Sequence, residues 1–232
     1  MTGRLVVKVV IFGATGMVGQ GVLRQCLLDE RVESVLVVGR TALGLRHPKL
    51  SEVIHGNFTD FSAIGDALTG LDACFWCLGI SASGQREADY RRVTYDYTLA
   101  AARELAARNR GLTFTYVSGE GTDGSGRARS RWARVKGRTE NALLAMDFFA
   151  YMFRPNYIHP VHGERSKTPL YRAAYAAVSW LYPVLRRVAP GQVTTTERLG
   201  QAMITVVGMR GGGERVLRSR EINRIAGGAG VD

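Results

Sequence analysis

A glycine-rich turn near the start of the chain restricts the possible folds more than any other feature. The apolar residues 5–12 predict a buried strand, and Gly13-Ala14-Thr15-Gly16-Met17-Val18-Gly19 follows it directly. Residues 17–29 then show the periodicity of an amphipathic helix. In this setting the first glycine permits a tight turn, the second admits a close backbone approach, and the third lets the helix pack on the strand. The pattern predicts a turn that holds a dinucleotide pyrophosphate at a helix N-terminus.

Strand-like and helix-like segments alternate along the next 130 or so residues. Apolar, β-rich runs predict further strands at residues 34–38, 52–55, 73–78, 112–117 and 150–153. Helical periodicity predicts helices at residues 61–68, 87–108 and 131–146. Nearly continuous apolar strands separated by helices are typical of a parallel sheet that is covered on both faces. The predicted fold class is therefore α/β, with a Rossmann-like, doubly wound parallel sheet.

The pattern becomes less regular after Pro155. Residues 171–187 and 197–209 predict helices, the second with Thr196 as its N-cap, and 216–217 predict a short strand. Ser219 is the predicted cap of a short last helix, and the glycine-rich residues 227–230 are predicted to fray. We divide the chain into a dinucleotide-binding core, 1–155, and a small C-terminal substrate-covering segment, 156–232, which is integrated with the core in one domain.

Composition and apolar patterning indicate the class of protein and its expected cellular compartment. A chain of 232 residues with 46% hydrophobic residues is long enough to bury a full core. Its three cysteines are too few for a disulfide framework and indicate a reducing compartment, so we expect a cytoplasmic protein. No signal peptide is predicted. The apolar stretch 173–185 contains Pro183 and is shorter than the roughly 20 residues of a spanning helix. A helix on a membrane surface remains an alternative there.

The net charge of +11 predicts an anionic partner. Arginine supplies 27 of the 31 basic residues, and only the segment from Arg127 to Arg138 is dense. No nucleic-acid recognition motif accompanies the charge, which argues against sequence-specific nucleic-acid binding. The dense segment either contacts a phosphorylated or nucleotide-sugar substrate or forms a solvated helix face.

The end of the second predicted strand distinguishes the two nicotinamide dinucleotides. NAD proteins of this fold place a carboxylate there for the ribose 2′-hydroxyl, whereas NADP proteins use arginine for the 2′-phosphate. At this point the chain reads Gly39-Arg40-Thr41, and none of these three residues is acidic. Arg40 therefore favours NADP(H) over NAD(H), the alternative being that its side chain only faces solvent.

Several further motifs point to a known family. They are Cys77-Leu78-Gly79 after the fourth strand, Tyr116-Val117-Ser118 on the fifth, Lys136 on the next helix, and Phe153-Arg154-Pro155 after the sixth. Together with the glycine turn they resemble the atypical short-chain dehydrogenase/reductases, particularly the NAD(P)-dependent epimerase-like and TIP30-like groups. The resemblance extends over about residues 4–210. It implies oxidoreductase or epimerase-like chemistry with a nicotinamide cofactor.

The resemblance also implies roles for individual residues. Around the pyrophosphate it places Gly13, Thr15, Gly16, Met17 and Val18, with Gly19 packing the helix on the sheet. It places Arg40 at the 2′-phosphate, Asn57 or Asp60 near the adenine, and Leu78 and Gly79 beside the nicotinamide ribose. It implies that Ser118 is the catalytic serine, that Lys136 binds the nicotinamide ribose, and that Pro155 closes over the nicotinamide ring.

One departure from the family pattern affects the chemistry. The family carries Tyr-x-x-x-Lys, whereas this chain reads Trp132-Ala133-Arg134-Val135-Lys136. An indole N–H can donate a hydrogen bond but is not an acid near neutral pH. Tyr116 is the first candidate to replace the tyrosine, because it precedes Ser118 by two residues and shares its strand face. Tyr157 and His159 are the others.

Three functions remain open from the sequence. The first is an NADP(H)-dependent oxidoreductase or epimerase-like enzyme, monomeric or homodimeric, acting on a small carbonyl, hydroxyl or sugar-like substrate. The second is a non-catalytic NADP(H) sensor, which Trp132 favours. The third is a polyanion or membrane-surface binder.

No metal site is predicted. Cys74 and Cys77 have the spacing of a redox or metal pair, but an offset of three in a strand places them on opposite faces. Further ligands at supporting spacing are absent from the sequence. The four histidines form no ligand pattern, although His159 and His162 lie in the expected substrate loop and are candidates for a polar substrate contact.

Overall fold

The computed structural model describes residues 6–164, 182 and 187–228. Seven parallel strands form the main sheet, in the spatial order β3-β2-β1-β4-β5-β6-β9. These strands are β1 (Val7–Phe12), β2 (Val32–Gly39), β3 (Leu50–Ile54), β4 (Ala73–Trp76), β5 (Thr113–Val117), β6 (Phe149–Arg154) and β9 (Val216–Arg218). The order reverses between β1 and β4, so the carboxyl ends of these two strands mark the switch point at which ligands bind in such sheets.

Helices cover both faces of the sheet. They are α1 (Met17–Leu28), α2 (Glu87–Arg91), α3 (Tyr97–Arg108), α4 (Arg131–Leu144), α5 (Thr196–Met209) and α6 (Ser219–Ala226). A π-helical turn, Arg92–Asp96, joins α2 to α3, and 3₁₀ turns occupy Ser62–Leu68 and Pro190–Gln192. The doubly wound Rossmann-like fold predicted from the sequence is confirmed.

The two sides of the sheet form two apolar cores. On one side Val9 and Ile11 pack with side chains from α1, α5 and α6, and on the other Val10 and Phe12 pack with side chains from α3 and α4. Alternation along β1 produces this division, because successive strand residues point to opposite faces. Both faces are buried, which explains why the strand sequences are continuously apolar.

The boundaries differ from the predicted ones in a few places. The helix predicted at 61–68 is a 3₁₀ turn at Ser62–Leu68, and the long helix predicted at 87–108 is interrupted by a π turn. The N-cap of α5 is Thr195, whose hydroxyl accepts a hydrogen bond from the Arg198 amide at 3.0 Å, and not Thr196. Ser219 is the first residue of α6 rather than its cap, and its hydroxyl accepts from the Asn156 amide at 3.0 Å.

A short parallel pair lies beyond the main sheet, where the sequence indicated only loop. It joins β7 (Tyr157–His159) to β8 (Val193–Thr195). The pair connects the segment after β6 to the start of α5. The predicted helix at 171–187 lies outside the described residues except for Tyr182 and Arg187, and the predicted frayed end is described only at Gly227 and Gly228, which form a turn.

Candidate active site

The glycine turn packs tightly at the switch point of the sheet. Gly13 has φ +81°, and a Cβ atom there would lie 2.6 Å from the backbone nitrogen of Leu78. A Cβ on Gly19 would lie 2.1 Å from the carbonyl oxygen of Gly13. Gly16 precedes α1, and its amide donates to the Gly13 carbonyl at 3.0 Å. Side chains at Gly13 and Gly19 would fill the space at this turn. The amides of the first turn of α1 have no intrahelical acceptors, and they lie beside this space.

Replacing Gly19 by alanine is expected to lower the free energy of unfolding by about 1–3 kcal/mol, because the added methyl group overlaps backbone atoms. It is also expected to weaken dinucleotide binding by displacing the turn. Urea unfolding followed by tryptophan fluorescence measures the first effect, and titration with NADPH measures the second. Gly56→Ala is the matched control, since a Cβ at Gly56 meets nothing within 4 Å. Equal stability of the two variants would contradict the expected overlap.

A cavity of about 320 Å³ adjoins the glycine turn. Four residues predicted to bind the cofactor line it together, namely Gly13, Thr15, Arg40 and Leu78. Arg40 is exposed at the end of β2, and no acidic residue is among the described residues lining the cavity. The cavity wall is completed by Ala14, Val37, Val38, Gly39, Thr41, Leu43 and Phe58. These features fit the binding of a dinucleotide at the glycine turn.

Asn57 and Asp60 do not line this cavity. The Asn57 side-chain oxygen accepts from the Thr59 amide at 3.1 Å, and an Asp60 carboxylate oxygen accepts from the Ser62 amide at 2.9 Å. Hydrogen bonds from Ser62 hold the pKa of Asp60 below its usual value. Both side chains stabilise the turn after β3, while Phe58 between them lines the cavity. Phe58 was not predicted from the sequence, because no local motif marks its position at the cavity wall.

A second cavity, of about 550 Å³, lies beside the start of α4. It is lined by Trp132 and Lys136, the two residues of α4 that the sequence predicts at the active site. Tyr90, on α2, lines the same cavity and is 1% exposed. The remaining lining residues are Ile80, Ser81, Ala82, Ser83, Ser130 and Arg131. The sequence analysis missed Tyr90 because the position of α2 relative to α4 is set by tertiary packing.

Lys136 occupies a protected position on the wall of the second cavity. Its ammonium group donates a hydrogen bond to the Ser118 carbonyl oxygen at the end of β5. Burial lowers the pKa of Lys136 to about 8, and the nearby Glu140 carboxylate opposes this decrease. The side chain is therefore largely charged at neutral pH but close to the point at which it loses its proton.

Ser118 is anchored where β5 and β6 end. Its amide and its hydroxyl donate to the carbonyl oxygen of Phe153, at 2.9 and 3.2 Å. The Glu120 amide donates to the Pro155 carbonyl at 3.0 Å, which brings Pro155 beside the loop that follows β5. Ser118, Pro155 and Lys136 are thus joined through adjacent strand ends, although only Lys136 of the three lines the second cavity.

Trp132 packs against the same loop. Atoms of its six-membered ring lie 3.5 and 3.7 Å from the position that a Cβ of Gly121 would occupy. Gly121 has φ +81°, a conformation that favours glycine, so the loop can pass close to the indole. The tryptophan therefore fills space at the cavity wall as well as occupying the first turn of α4.

The three candidates for a replacement acid lie elsewhere. Tyr116 is 2% exposed within the apolar core, and burial raises its pKa above the ordinary value, against a hydrogen bond with Thr139. His159 lies on β7 with Tyr157, whose hydroxyl is 3.4 Å from His159 Nδ1. The His159 ring stacks on Tyr182 with centroids 3.7 Å apart, and burial lowers its pKa. None of these three lines the second cavity as described.

The arginine-rich segment is only partly available for ligands. An Arg134 guanidinium nitrogen donates to the carbonyl oxygens of Ala128 and Arg129 at 2.7 and 3.0 Å. Arg131 donates to the Gln85 carbonyl at 3.1 Å and lines the second cavity. The segment therefore stabilises the loop before α4, and Arg131 is the arginine of the segment that lines the cavity.

The cysteines and the short polar clusters add no ligand set to this site. Cys74 packs in one apolar core and Cys77 against the other, so the predicted opposite orientation is confirmed. Burial raises the pKa of both thiols. Within residues 6–164, 182 and 187–228, we find no group of three or more His, Cys, Asp or Glu side chains arranged to hold a metal ion.

Comparison with known families agrees with the fold and the glycine turn. The family model described as "NAD dependent epimerase/dehydratase family" matches residues 9–133, which include most of β1, the glycine turn and the start of α4. The chain belongs to this family. Membership of this family, together with the relatives described next, places the chain in the atypical short-chain dehydrogenase/reductase group.

Relatives and solved structures extend the match. "Protein fmp52-2, mitochondrial" from Aspergillus terreus is 28% identical over 171 residues, 70% of this chain and 71% of the relative. "Protein HTATIP2" from Rattus norvegicus is 29% identical over 155 residues, 65% and 62% of the two chains. A short-chain dehydrogenase/reductase family oxidoreductase from Burkholderia thailandensis has the same fold, with a TM-score of 0.68 and 18% identity over 94% and 92% of the chains.

A structure solved as a complex with a nicotinamide cofactor also has this fold. The enzyme WbmF from Bordetella bronchiseptica, in complex with NAD⁺ and UDP, has a TM-score of 0.68 and 16% identity, covering 99% of this chain and 80% of that one. The predicted resemblance to atypical short-chain dehydrogenase/reductases is confirmed, and a nicotinamide dinucleotide is supported as the type of cofactor. Among the described residues, no helix has the length and apolar character needed to cross a membrane.

Proposed function

We propose that the protein is an NADP(H)-dependent oxidoreductase or epimerase-like enzyme acting on a small carbonyl, hydroxyl or sugar-like substrate. The observation that carries the proposal is the half-buried Lys136, which lines a 550 Å³ cavity at the carboxyl edge of the sheet and donates a hydrogen bond to the Ser118 carbonyl. The glycine-turn cavity with Arg40 lies at the same edge. In the proposal the second cavity receives the substrate beside the nicotinamide half of the cofactor.

The residues around the two cavities fit a dinucleotide. In the proposal, Gly13, Thr15, Gly16, Met17 and Val18 surround the pyrophosphate, with Gly19 packing the helix close. Arg40 binds a 2′-phosphate, and Leu78, Gly79 and Pro155 border the nicotinamide half. When bound, the nicotinamide supplies or accepts the hydride. Lys136 supplies positive charge and hydrogen bonds, and Ser118 fixes the strand end against which Lys136 is held.

The proton requires a separate source. We infer that Trp132 occupies the position of the family tyrosine, and an indole cannot supply a proton near neutral pH. Tyr90 is the phenol that lines the cavity with Lys136, and it faces Tyr116 closely enough to affect the titration of that residue. Tyr90 is therefore our candidate for the group that donates a proton to a carbonyl oxygen.

We also propose a domain organisation, an oligomeric state and a cellular location. We expect a core at 1–155 with an integrated covering segment at 156–232, in a monomer or homodimer. A cytoplasmic location is supported by three free cysteines, all of them in the described part of the chain. The fungal relative is named as mitochondrial, so localisation by fluorescent fusion separates the two compartments.

Calorimetric titration with NADPH and then NADH tests the proposal, together with NADPH oxidation in the presence of aliphatic, aromatic and sugar aldehydes. We expect NADPH to bind more tightly than NADH and at least one aldehyde to be reduced. Absence of binding for both dinucleotides would overturn the proposal. Salt-sensitive binding to heparin or anionic vesicles without NADPH binding would instead support the polyanion or membrane-surface alternative.

Trp132 favours a second candidate function, a sensor that binds NADP(H) without turnover. Turnover of the wild-type protein separates the two functions, and replacing Trp132 by tyrosine tests whether the site is a degenerate reductase, because it restores a phenol four residues before Lys136 on the same helix face. For a degenerate reductase we expect aldehyde reduction to rise by about 10²-fold or more, the usual contribution of a general acid. Trp132→Phe controls for the change of size, since it adds a ring without a hydroxyl. Equal activities of the tyrosine and phenylalanine variants would contradict the expected gain.

A further inference from the structure

A buried ion pair lies one helical turn beyond Lys136. Glu140 is 1% exposed, and its carboxylate receives hydrogen bonds from the Arg154 guanidinium, with Nε 3.0 and 3.2 Å from the two oxygens and an Nη contact besides. Arg154 is the last residue of β6, so the pair joins α4 to the strand that precedes Pro155. Breaking such a buried pair leaves an uncompensated charge, so its two members are held together.

The positive charge of Lys136 requires a nearby negative charge to stabilise it at the end of β5. Its ammonium group donates to a neutral acceptor, the Ser118 carbonyl, and burial favours the deprotonated amine. Residues four apart on a helix face each other, so the nearest fixed negative charge on α4 is Glu140. Arg154 neutralises part of that charge from the other side.

We propose that Glu140 is a positioning residue that holds the Lys136 ammonium in its charged form at the end of β5, and that Arg154 fixes the Glu140 carboxylate and moderates its effect. The inference rests on the proposed function of Lys136. Glu140 attracts the ammonium, and Arg154 limits that attraction and fixes the carboxylate against β6. The pair thus sets the pH range over which Lys136 can bind an anionic or hydroxyl-bearing ligand.

Other ionisable groups surround the pair and must be included. From β5, Tyr116 faces Glu140, and Tyr90 of α2 in turn faces Tyr116. From the loop after β5, Glu120 and Asp123 act on Arg154. Burial raises the pKa of Tyr116, and hydrogen bonds lower the pKa of Asp123 to about 2, so neither group changes its charge while Lys136 titrates. These groups therefore give a constant background to the titration.

Substitutions at the two members are expected to shift the Lys136 titration in opposite directions. Glu140→Gln removes a negative charge and lowers the midpoint, whereas Arg154→Gln removes a positive charge from beside Glu140 and raises it. Each shift is expected to be about one pH unit, the lower end of what a neighbouring charge produces. A purely structural role predicts changes of the same sign or none.

Lysine labelled with ¹³C at Cε makes the test direct, because the chain contains only four lysines, Lys8, Lys49, Lys136 and Lys167. The spectrum of Lys136→Met assigns the Lys136 signal, whose chemical shift is followed against pH without any cofactor. Glu104→Gln is the matched control, since Glu104 forms an i,i+4 pair with Arg108 on α3. We expect the control to leave the midpoint unchanged.

The outcomes are distinct. Opposite shifts in Glu140→Gln and Arg154→Gln support the proposal, while equal signs or unchanged midpoints overturn it. If one variant does not fold, the other still tests the sign, and Glu140→Asp, which retains the charge, should keep the midpoint near that of the wild type. The pH dependence of NADPH affinity is measured in parallel. Shifted midpoints without any NADPH binding would refute the proposed function while retaining the ion-pair effect.

Discussion

Lys136→Met is expected to reduce NADPH-dependent turnover by about 10²–10³-fold, the loss seen when one preorganised donor is removed from an active site. Lys136 is the cation that both lines the substrate-sized cavity and contacts the end of β5. Methionine retains much of the volume but none of the charge or hydrogen bonds. We also expect NADPH affinity to fall by about tenfold, from the loss of a charged hydrogen bond.

Steady-state kinetics and calorimetry measure the two effects separately. Lys49→Met is the matched control, because the Lys49 ammonium bonds the Asp29 carbonyl at 2.7 Å and lines neither cavity of the candidate active site. Thermal unfolding checks that each variant is folded. Turnover of Lys136→Met equal to that of the control would contradict a role for this lysine in the reaction.

The sequence was sufficient for the sheet and the glycine turn because local pattern determines both. Continuous apolar runs separated by amphipathic helices permit few arrangements, and the positive φ of Gly13 can be anticipated from its place after a buried strand. The limits of α5 were harder to predict, since Thr195 and Thr196 are equally suitable caps by residue type. Tertiary packing decides between them, because Thr196 lies against Gly21 of α1.

Sequence reasoning located the candidate site less completely than the fold. Motifs identified residues that lie next to each other in the chain, such as Trp132 and Lys136, but not Tyr90, which reaches the same cavity from α2. The π turn between α2 and α3 shifts the register of that helix, and a 3.6-residue period does not anticipate it. The family resemblance implied Asn57 or Asp60 near the adenine, and this role stays a prediction; the Asn57 side chain also accepts a local hydrogen bond in its turn.

Arg40→Asp is expected to reverse the preference between the two dinucleotides. A guanidinium at the end of β2 favours a 2′-phosphate through charge-assisted hydrogen bonds, whereas a carboxylate repels the phosphate and accepts from a 2′-hydroxyl. Loss of one such contact at about 1.5–3 kcal/mol reduces NADPH affinity by about 10–10²-fold. If NADH affinity is maintained, the ratio of the two affinities changes by about 10–10²-fold, and any gain in NADH affinity increases this change further.

Arg46→Asp provides the control that separates a local contact from the overall charge. Arg46 is exposed in the same loop, its substitution changes the net charge equally, and it does not line the cofactor cavity. We expect this control to weaken both dinucleotides slightly and equally, with an effect that decreases as salt is raised. If Arg40→Asp behaved in the same way, the positive potential of the +11 chain would explain NADPH binding, and Arg40 would have no specific role. A reversal confined to Arg40→Asp would instead identify the end of β2 as the element that selects the cofactor.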